Sequence, residues 1–171
     1  MKKITTLFIY AAMFACGTTV NAQKGILNKV KVYFSQPVDN SFSNGVNAIY
    51  VHNAIMDTIA AYINRAKYTV DIAQYDYTAY SGDTMSHIAT AVNNAYKRGV
   101  KIRWIYDGSS SNTGLSLLNS SIPTLASPTG GIYNISHNKF IIIDEFDSLN
   151  DIVADGSADW SITMNDHDYN N

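Results

Sequence analysis

Three residues in the last quarter of the chain have the types and the spacing needed for chemistry at a phosphate: His137, Lys139 and Asp144, in the pattern H-x-K-x4-D. Residues two apart in an extended strand point to the same face, so His137 and Lys139 are predicted to project together. An imidazole can act as a nucleophile or transfer protons near neutral pH, and a neighbouring ammonium can hold a phosphate oxygen. Asp144 has the opposite parity to His137, so we expect it to support the strand end without contacting a substrate.

A second polar segment, Gly156-Ser157-Ala158-Asp159, follows Asp144 closely. Together the two segments resemble the phospholipase D superfamily, which pairs H-x-K-x4-D with a following G-S-x-N segment. The resemblance covers roughly Val30 to Asn171, because a strand at Tyr68 to Tyr75 and the sequence from Ala95 to Gly108 precede the motif in the family's usual order.

The resemblance implies a mechanism and a set of supporting residues. His137 would attack a phosphodiester to give a covalent phosphohistidine that water or an alcohol resolves, with no metal ion or other cofactor. Ser157 falls at the family's phosphate-contacting Ser, whereas Asp159 stands where the family has Asn. A carboxylate there brings a like charge towards an anionic phosphate, unless Asp159 is protonated or paired with Lys139. The family's Glu or Gln that contacts the nucleophilic His falls at Asn170.

Superfamily members of this kind use two such motifs facing each other, one His attacking and the other protonating the leaving group. This sequence contains one motif. The resemblance therefore implies either a symmetric homodimer that supplies the second motif in trans or the front half of a longer, two-motif protein. As substrate, a phospholipid is favoured over nucleic acid, with a metal-independent endonuclease of the same superfamily as the alternative. A catalytically inactive, truncated remnant or interaction domain is the hypothesis from another class.

The elements expected to position these residues alternate between strand and helix. Apolar residues alternate in the predicted strands and recur at three- and four-residue spacing in the predicted helices. This order predicts an α/β fold with a mixed, mostly parallel sheet. The resemblance implies a phospholipase-D-like three-layer α/β/α sandwich, one half of the usual two-motif unit. The predicted strands are Lys29 to Ser35, Tyr68 to Tyr75, Val100 to Tyr106, Ile135 to Asp144 and Asp151 to Ala154, and the predicted helices are Ile49 to Ala66 and Thr84 to Lys97.

Between the third and fourth predicted strands, Asp107 to Gly131 is rich in Ser, Gly, Asn, Thr and Pro. We expect a long surface excursion with a short helix around Leu115 to Leu118, and loops of that length are often functional rims or lids. Tyr75, Tyr77 and Tyr80 follow a strand and are interpreted either as the rim of a cleft for lipid or base or as packing residues.

Residues 1–22 have the order of a secretory signal, with a basic start, an apolar run ending at Cys16 and the small residue Ala22. We expect cleavage near Ala22 and a secreted or periplasmic location. A phospholipase-D-like domain is then expected over residues 23–171, incomplete at its C-terminus. A competing interpretation makes Cys16 a lipidated N-terminus. No apolar run reaches the roughly 20 residues of a membrane-spanning helix, so no transmembrane segment is predicted.

The charge balance bears on the kind of substrate. The chain has 12 Lys and Arg against 14 Asp and Glu, and loss of Lys2 and Lys3 with the signal would make it more acidic. A protein whose affinity comes mainly from neutralising phosphates along a duplex is usually basic. Composition therefore disfavours non-specific DNA binding.

Overall fold

A computed structural model of the chain describes residues 30–164, apart from positions 44, 46, 53 and 133. The chain separates into Met1–Lys31 and Val32–Asn171, and nearly all described residues belong to the second unit. Short 3-10 helices lie at Asn40–Phe42 and Thr113–Leu117. The other elements are β1 (Tyr33–Phe34), β2 (Ile49–Tyr50), α1 (Ile55–Arg65), β3 (Thr69–Gln74), α2 (Ser86–Lys97), β4 (Lys101–Tyr106), β5 (Thr124–Ala126), β6 (Lys139–Ile143) and β7 (Ile152–Asp155).

Five strands form the main sheet, in the order β5-β4-β3-β6-β7. β3, β4 and β5 are parallel, while β6 pairs antiparallel with both β3 and β7. Four of the five strands therefore run in one direction and β6 runs in the other. β1 and β2 form a separate parallel pair. The predicted α/β class with a mixed, mostly parallel sheet is confirmed.

One face of the sheet carries the hydrophobic core. Its residues lie at alternate positions along β3, β4 and β6, and the register brings them side by side across the three strands. Helices α1 and α2 contribute their own apolar sides to the same core, which is why their apolar residues recur three and four apart. The buried residues of this core include Val70, Ile72, Ile102, Trp104, Ile141 and Ile143 from the sheet and Met56, Ile63, Ile88 and Val92 from the helices.

The opposite face of the sheet is more polar in the described part of the chain. Lys101, Arg103 and Ile105 point outward at alternate positions of β4. The Arg103 guanidinium binds the carboxylate of Asp71 on the neighbouring strand and, at 2.7 Å, that of Glu145. The described helices and sheet thus form two layers, and the third layer of the expected sandwich stays a prediction.

The junction between α2 and β4 shows how local sequence sets the start of a central strand. The Val100 N–H donates to the carbonyl of Ala95, and the Gly99 N–H donates to the carbonyl of Tyr96. These two hydrogen bonds form a Schellman motif, in which a residue with left-handed backbone angles ends the helix. Gly99 has a φ of +89°, which a residue without Cβ adopts at no steric cost. This helix end before Gly99 was predicted from the sequence and is confirmed.

Three predicted boundaries were wrong, and one strand was not predicted. The first predicted strand, Lys29 to Ser35, is a strand only over Tyr33–Phe34 among the described residues. The first helix begins at Ile55 and not at Ile49, because Ile49–Tyr50 pairs with β1 and His52 then takes a positive φ of 50°. The strand carrying the motif begins at Lys139 and not at Ile135. The excursion after Asp107 contains the edge strand β5, which was not predicted.

Among the described residues, none of the helices is both long and apolar enough to cross a bilayer.

Candidate active site

His137 and Lys139 lie together at the edge of the sheet where β3 ends and β6 begins. The Lys139 Nζ is 2.9 Å from the His137 Nε2. The Lys139 side chain is buried, with 9% of the residue exposed, whereas His137 is exposed. An ammonium has donors only, so Nζ donates and Nε2 accepts in this contact. The predicted pairing of these two side chains is confirmed, although His137 precedes the strand.

Asp159 anchors the other side of the Lys139 ammonium. Its Oδ1 lies 3.0 Å from the Lys139 Nζ, and Asp159 is itself buried. Of the two situations considered from the sequence for a carboxylate in place of Asn, pairing with Lys139 is the one found. The ion pair offsets part of the negative charge that Asp159 brings towards a phosphate, and its burial makes the pair less screened by salt than a surface pair.

Tyr75, the first residue after β3, completes the wall around these groups. Its ring meets the His137 imidazole edge to face, with centroids 4.7 Å apart, and the Lys139 Nζ lies 5.1 Å from the same ring centroid. Both contacts are favourable for an aromatic quadrupole and restrict the imidazole orientation. Of the three tyrosines singled out in the sequence, Tyr75 therefore lines the site. Tyr77 is a buried packing residue, and Tyr80 is exposed.

Asp144 lies at the far end of β6 from Lys139 and serves a different purpose. Its carboxylate accepts hydrogen bonds from the backbone N–H groups of Lys67, Tyr68 and Thr69, at 2.7 to 3.1 Å. Burial acts to raise the pKa of Asp144, but these N–H donors outweigh it and hold the pKa below its usual value. Asp144 was expected to support the strand end, because alternation along the strand points it away from His137. In the structure it holds the start of β3 in place, at the opposite end of β6 from His137 and Lys139.

The loop that carries His137 is tied to the end of β4 by Asp107. The buried Asp107 carboxylate accepts from the Ser136 N–H at 2.5 Å and from the Ser109 N–H at 2.8 Å. Burial raises the pKa of Asp107, but the hydrogen bonds from Ser109 and Ser136 bring it below the usual value. Sequence reasoning missed this residue, although its position at a strand end before a Gly is a signal that could have drawn attention to it.

Asp76 is a further carboxylate near the site that the sequence did not single out. Its Oδ1 accepts from the Thr78 hydroxyl at 2.7 Å. Burial is the main reason that the pKa of Asp76 is raised, and the nearby charge of Asp159 adds to the effect. Its backbone carbonyl accepts from the Trp160 N–H at 3.0 Å, which holds the segment containing Asp159 against the end of β3.

The remaining predicted residues lie beyond this cluster or outside the described part. The Gly156 N–H donates to the Lys139 carbonyl at 3.2 Å, so the turn after β7 starts beside the site. Ser157 is exposed on that turn, and its phosphate contact stays a prediction. Asn170 lies outside the described residues. Within the described ranges, no group of three or more His, Cys, Asp or Glu side chains is arranged to hold a metal ion.

The chain is similar to known proteins in sequence and in fold. The family model described as "Cardiolipin synthase, PLD-like domain" matches residues 59–171, which is more than half of the chain. Mitochondrial cardiolipin hydrolase of Drosophila melanogaster is 35% identical over 98 residues, covering 55% of this chain and 35% of that protein. The chain thus spans about a third of the length of this curated relative.

Two solved structures have a similar fold over two thirds of the chain. NucT from Helicobacter pylori superposes with a TM-score of 0.51 at 27% identity, covering 67% of this chain and 72% of that one. A phospholipase D family member, Nuc from Salmonella typhimurium, gives a TM-score of 0.51 at 23% identity, covering 67% and 70%. At that lower identity the second likeness supports the fold alone.

Proposed function

This chain belongs to the family of phospholipase-D-like (PLD-like) domains, and on that premise we propose that it hydrolyses a phosphodiester through a phosphohistidine at His137. One observation carries the proposal. The exposed His137 imidazole presents Nε2 to a buried ammonium, Lys139, at 2.9 Å. A nucleophile and a positive charge at this spacing suit attack on an anionic phosphorus centre.

The steps follow from the positions of the two groups. A phosphate oxygen takes over the Lys139 ammonium, which frees the Nε2 lone pair to attack phosphorus. The bond from phosphorus to the leaving alcohol breaks, and an acid must supply a proton to that alcohol. Water then attacks the phosphohistidine, its oxygen bonding to phosphorus while the bond to Nε2 breaks. The proton that this water loses returns to the group that protonated the alcohol, which restores that acid. The products are an alcohol and a phosphomonoester.

The acid for the leaving group is proposed to be the His137 of a second copy of the chain, or a second motif in a longer protein. The sequence contains one H-x-K-x4-D motif. In a symmetric pair, each of two facing imidazoles can attack while the other protonates, because the two-fold axis relates their surroundings. Such a pair would bring the two His137 side chains to face each other across the two-fold axis.

As substrate class we propose a phospholipid. The curated relative that matches at 35% identity is named a cardiolipin hydrolase, and the chain has more acidic than basic residues. A groove for nucleic acid would instead be lined with Lys and Arg. Endonuclease action is the second candidate, and the likeness to NucT at 27% identity favours it.

Export is proposed on the sequence alone. The basic start, the apolar run and Ala22 have the order of a cleaved signal, and lipidation at Cys16 is the competing route. N-terminal sequencing of the protein recovered outside the cytoplasm tests this. A first residue at Gln23 supports cleavage after Ala22, and a blocked, lipid-modified Cys16 contradicts it.

The activity is tested by comparing wild type with His137→Ala on two classes of substrate, phospholipid and DNA. We expect wild type to release head group from phosphatidylcholine or cardiolipin more rapidly than it cleaves plasmid DNA in EDTA. His137→Ala is expected to lose activity by a factor of at least about a thousand, because the attacking atom is gone. His87→Ala, which removes an exposed histidine on α2, is the matched control and should match wild type. A His137→Ala variant as active as wild type would contradict the mechanism, and a wild type with no turnover would support the inactive alternative.

A further inference from the structure

An uncharged stretch of chain leads directly to His137. From Gly108 to Ser136 the sequence contains no Asp, Glu, Lys, Arg or His, although 15% of the whole chain is charged. This stretch leaves the end of β4, forms the edge strand β5 and returns to the residue before His137. Its last part, the described residues 127–132 and 134–136, is called the rim loop below.

Both ends of the rim loop are fixed at the edge of the sheet that carries the candidate site. At its start, the Ser127 N–H donates to the Tyr106 carbonyl at 2.8 Å, at the end of β4. At its finish, the Ser136 N–H donates to the buried Asp107 carboxylate at 2.5 Å. The rim loop is therefore held at both ends beside the site. Open α/β sheets bind their ligands in this region, outside the carboxyl ends of parallel strands.

The rim loop presents large aliphatic side chains to water. Ile132 is 87% exposed and Ile135 is 56% exposed, and Ile135 lies two residues before His137. Gly130 and Gly131 precede them with φ values of +92° and +69°, a left-handed backbone that residues without Cβ adopt at no steric cost. Single exposed apolar residues are common on protein surfaces. What distinguishes these two is their place on an uncharged stretch that ends at the proposed nucleophile, where an apolar partner would also meet the candidate site.

We propose that the rim loop docks on a phospholipid bilayer with zwitterionic head groups and inserts Ile132 and Ile135. The inference rests on the proposed function, because it places the lipid phosphodiester next to His137. Two isoleucines entering the acyl boundary gain the hydrophobic free energy of their exposed surface. The absence of Lys and Arg from Gly108 to Ser136 means that no charge attraction to anionic lipid or to nucleic acid contributes from this stretch.

The test compares wild type with the double variant Ile132→Ser/Ile135→Ser for co-sedimentation with phosphatidylcholine vesicles. We expect the variant to bind at least about tenfold more weakly, and wild-type binding to change little between low and high salt. Phe146→Ser/Leu149→Ser is the matched control, since these residues are 88% and 90% exposed on the loop at the opposite end of β6. It should bind vesicles as wild type does. Ile132→Trp should bind more tightly, because an indole favours the membrane interface.

A soluble substrate separates this inference from the proposed function. Wild type and Ile132→Ser/Ile135→Ser should hydrolyse bis(4-nitrophenyl) phosphate equally, because no membrane is involved. Soluble turnover with unchanged vesicle binding in the isoleucine variant overturns the docking and leaves the chemistry standing. Vesicle binding that depends on Ile132 and Ile135, without soluble turnover, overturns the chemistry and leaves the docking standing. Binding that requires anionic lipid, or binding to single-stranded DNA with none to vesicles, also overturns the docking.

Discussion

The candidate site depends on how one ammonium is shared. Lys139 contacts the His137 Nε2 at 2.9 Å and the Asp159 Oδ1 at 3.0 Å. A phosphate that enters must compete for this ammonium, and the carboxylate of Asp159 both holds Lys139 in place and repels the incoming charge. Tyr75 restricts the imidazole from the side. The two-residue spacing on a predicted strand indicated the His137–Lys139 pair. Pairing of Asp159 with Lys139 was one of two alternatives, and only the fold distinguished them.

Asp159→Asn is predicted to strengthen phosphate binding. The amide keeps an oxygen acceptor for Lys139 and removes a negative charge near the phosphate, so inorganic phosphate should inhibit at about fivefold lower concentration. The inhibition constant against a soluble phosphodiester measures this. Asp155→Asn, which removes an equal charge from an exposed position on β7, should leave the constant unchanged. Weaker inhibition of Asp159→Asn than of wild type would show that the carboxylate helps the site more than it repels.

Asp144→Asn is predicted to lower stability in a pH-dependent way. The carboxylate accepts hydrogen bonds from three backbone N–H groups where β3 begins. An amide would place an NH2 donor against these N–H groups. The free energy of unfolding should therefore fall by about 1–3 kcal/mol at neutral pH. Asn tolerates the positive φ of 56° at this position, so the loss reports on the hydrogen bonds and not on backbone strain.

The direction of the pH effect follows from the lowered pKa of Asp144. Its contribution is fully present above the unfolded-state pKa of about 3.9 and is lost as pH falls through the folded-state value. Urea denaturation measures the free energy of unfolding at neutral and at strongly acidic pH. The difference in this free energy between wild type and Asp144→Asn should disappear in acid, and Asp155→Asn should not differ from wild type at either pH. A difference that is independent of pH would contradict this account of Asp144.

At the scale of elements, the sequence predicted the helices and strands that are determined by neighbouring residues. It did not predict those that depend on contacts between distant segments. The end of α2 at Gly99 and the alternation of β4 are local, and both were predicted within a residue or two. Ile49–Tyr50 was wrongly included in the first helix because its pairing with β1 is a contact between distant segments. β5 has three residues at a sheet edge, too few for a period to be recognised.

The supports of the site were the least predictable part of these elements. Asp107 and Asp76 each follow a strand as a single acidic residue, with no spacing that distinguishes them from solvated surface charges. Their roles arise from the fold, which brings Ser136 to one and the segment of Trp160 to the other. Polar residues at the ends of adjacent parallel strands are the general signal that would have identified both.

At the scale of the whole molecule, the proposal requires a second motif, and its source is testable by mixing. Equal amounts of wild type and His137→Ala are mixed and allowed to exchange partners, and the activity is compared with that of the same total amount of wild type. If two copies complete each site, the mixture should have about a quarter of that activity, because only pairs of two intact chains are active. Independent chains would retain about half. His87→Ala mixed in the same way should cause no loss, and a loss there would invalidate the measurement.

The central claim is that His137 becomes covalently attached to the substrate phosphorus. With bis(4-nitrophenyl) phosphate, attack by Nε2 expels 4-nitrophenolate and leaves a 4-nitrophenylphosphoryl group on the imidazole. Rapid quenching in alkali, followed by mass spectrometry of the digested protein, is the most direct measurement. The predicted result is this adduct on the peptide containing His137, absent from His137→Ala and present in His87→Ala. Turnover without any adduct, or an adduct on another residue, would contradict the account.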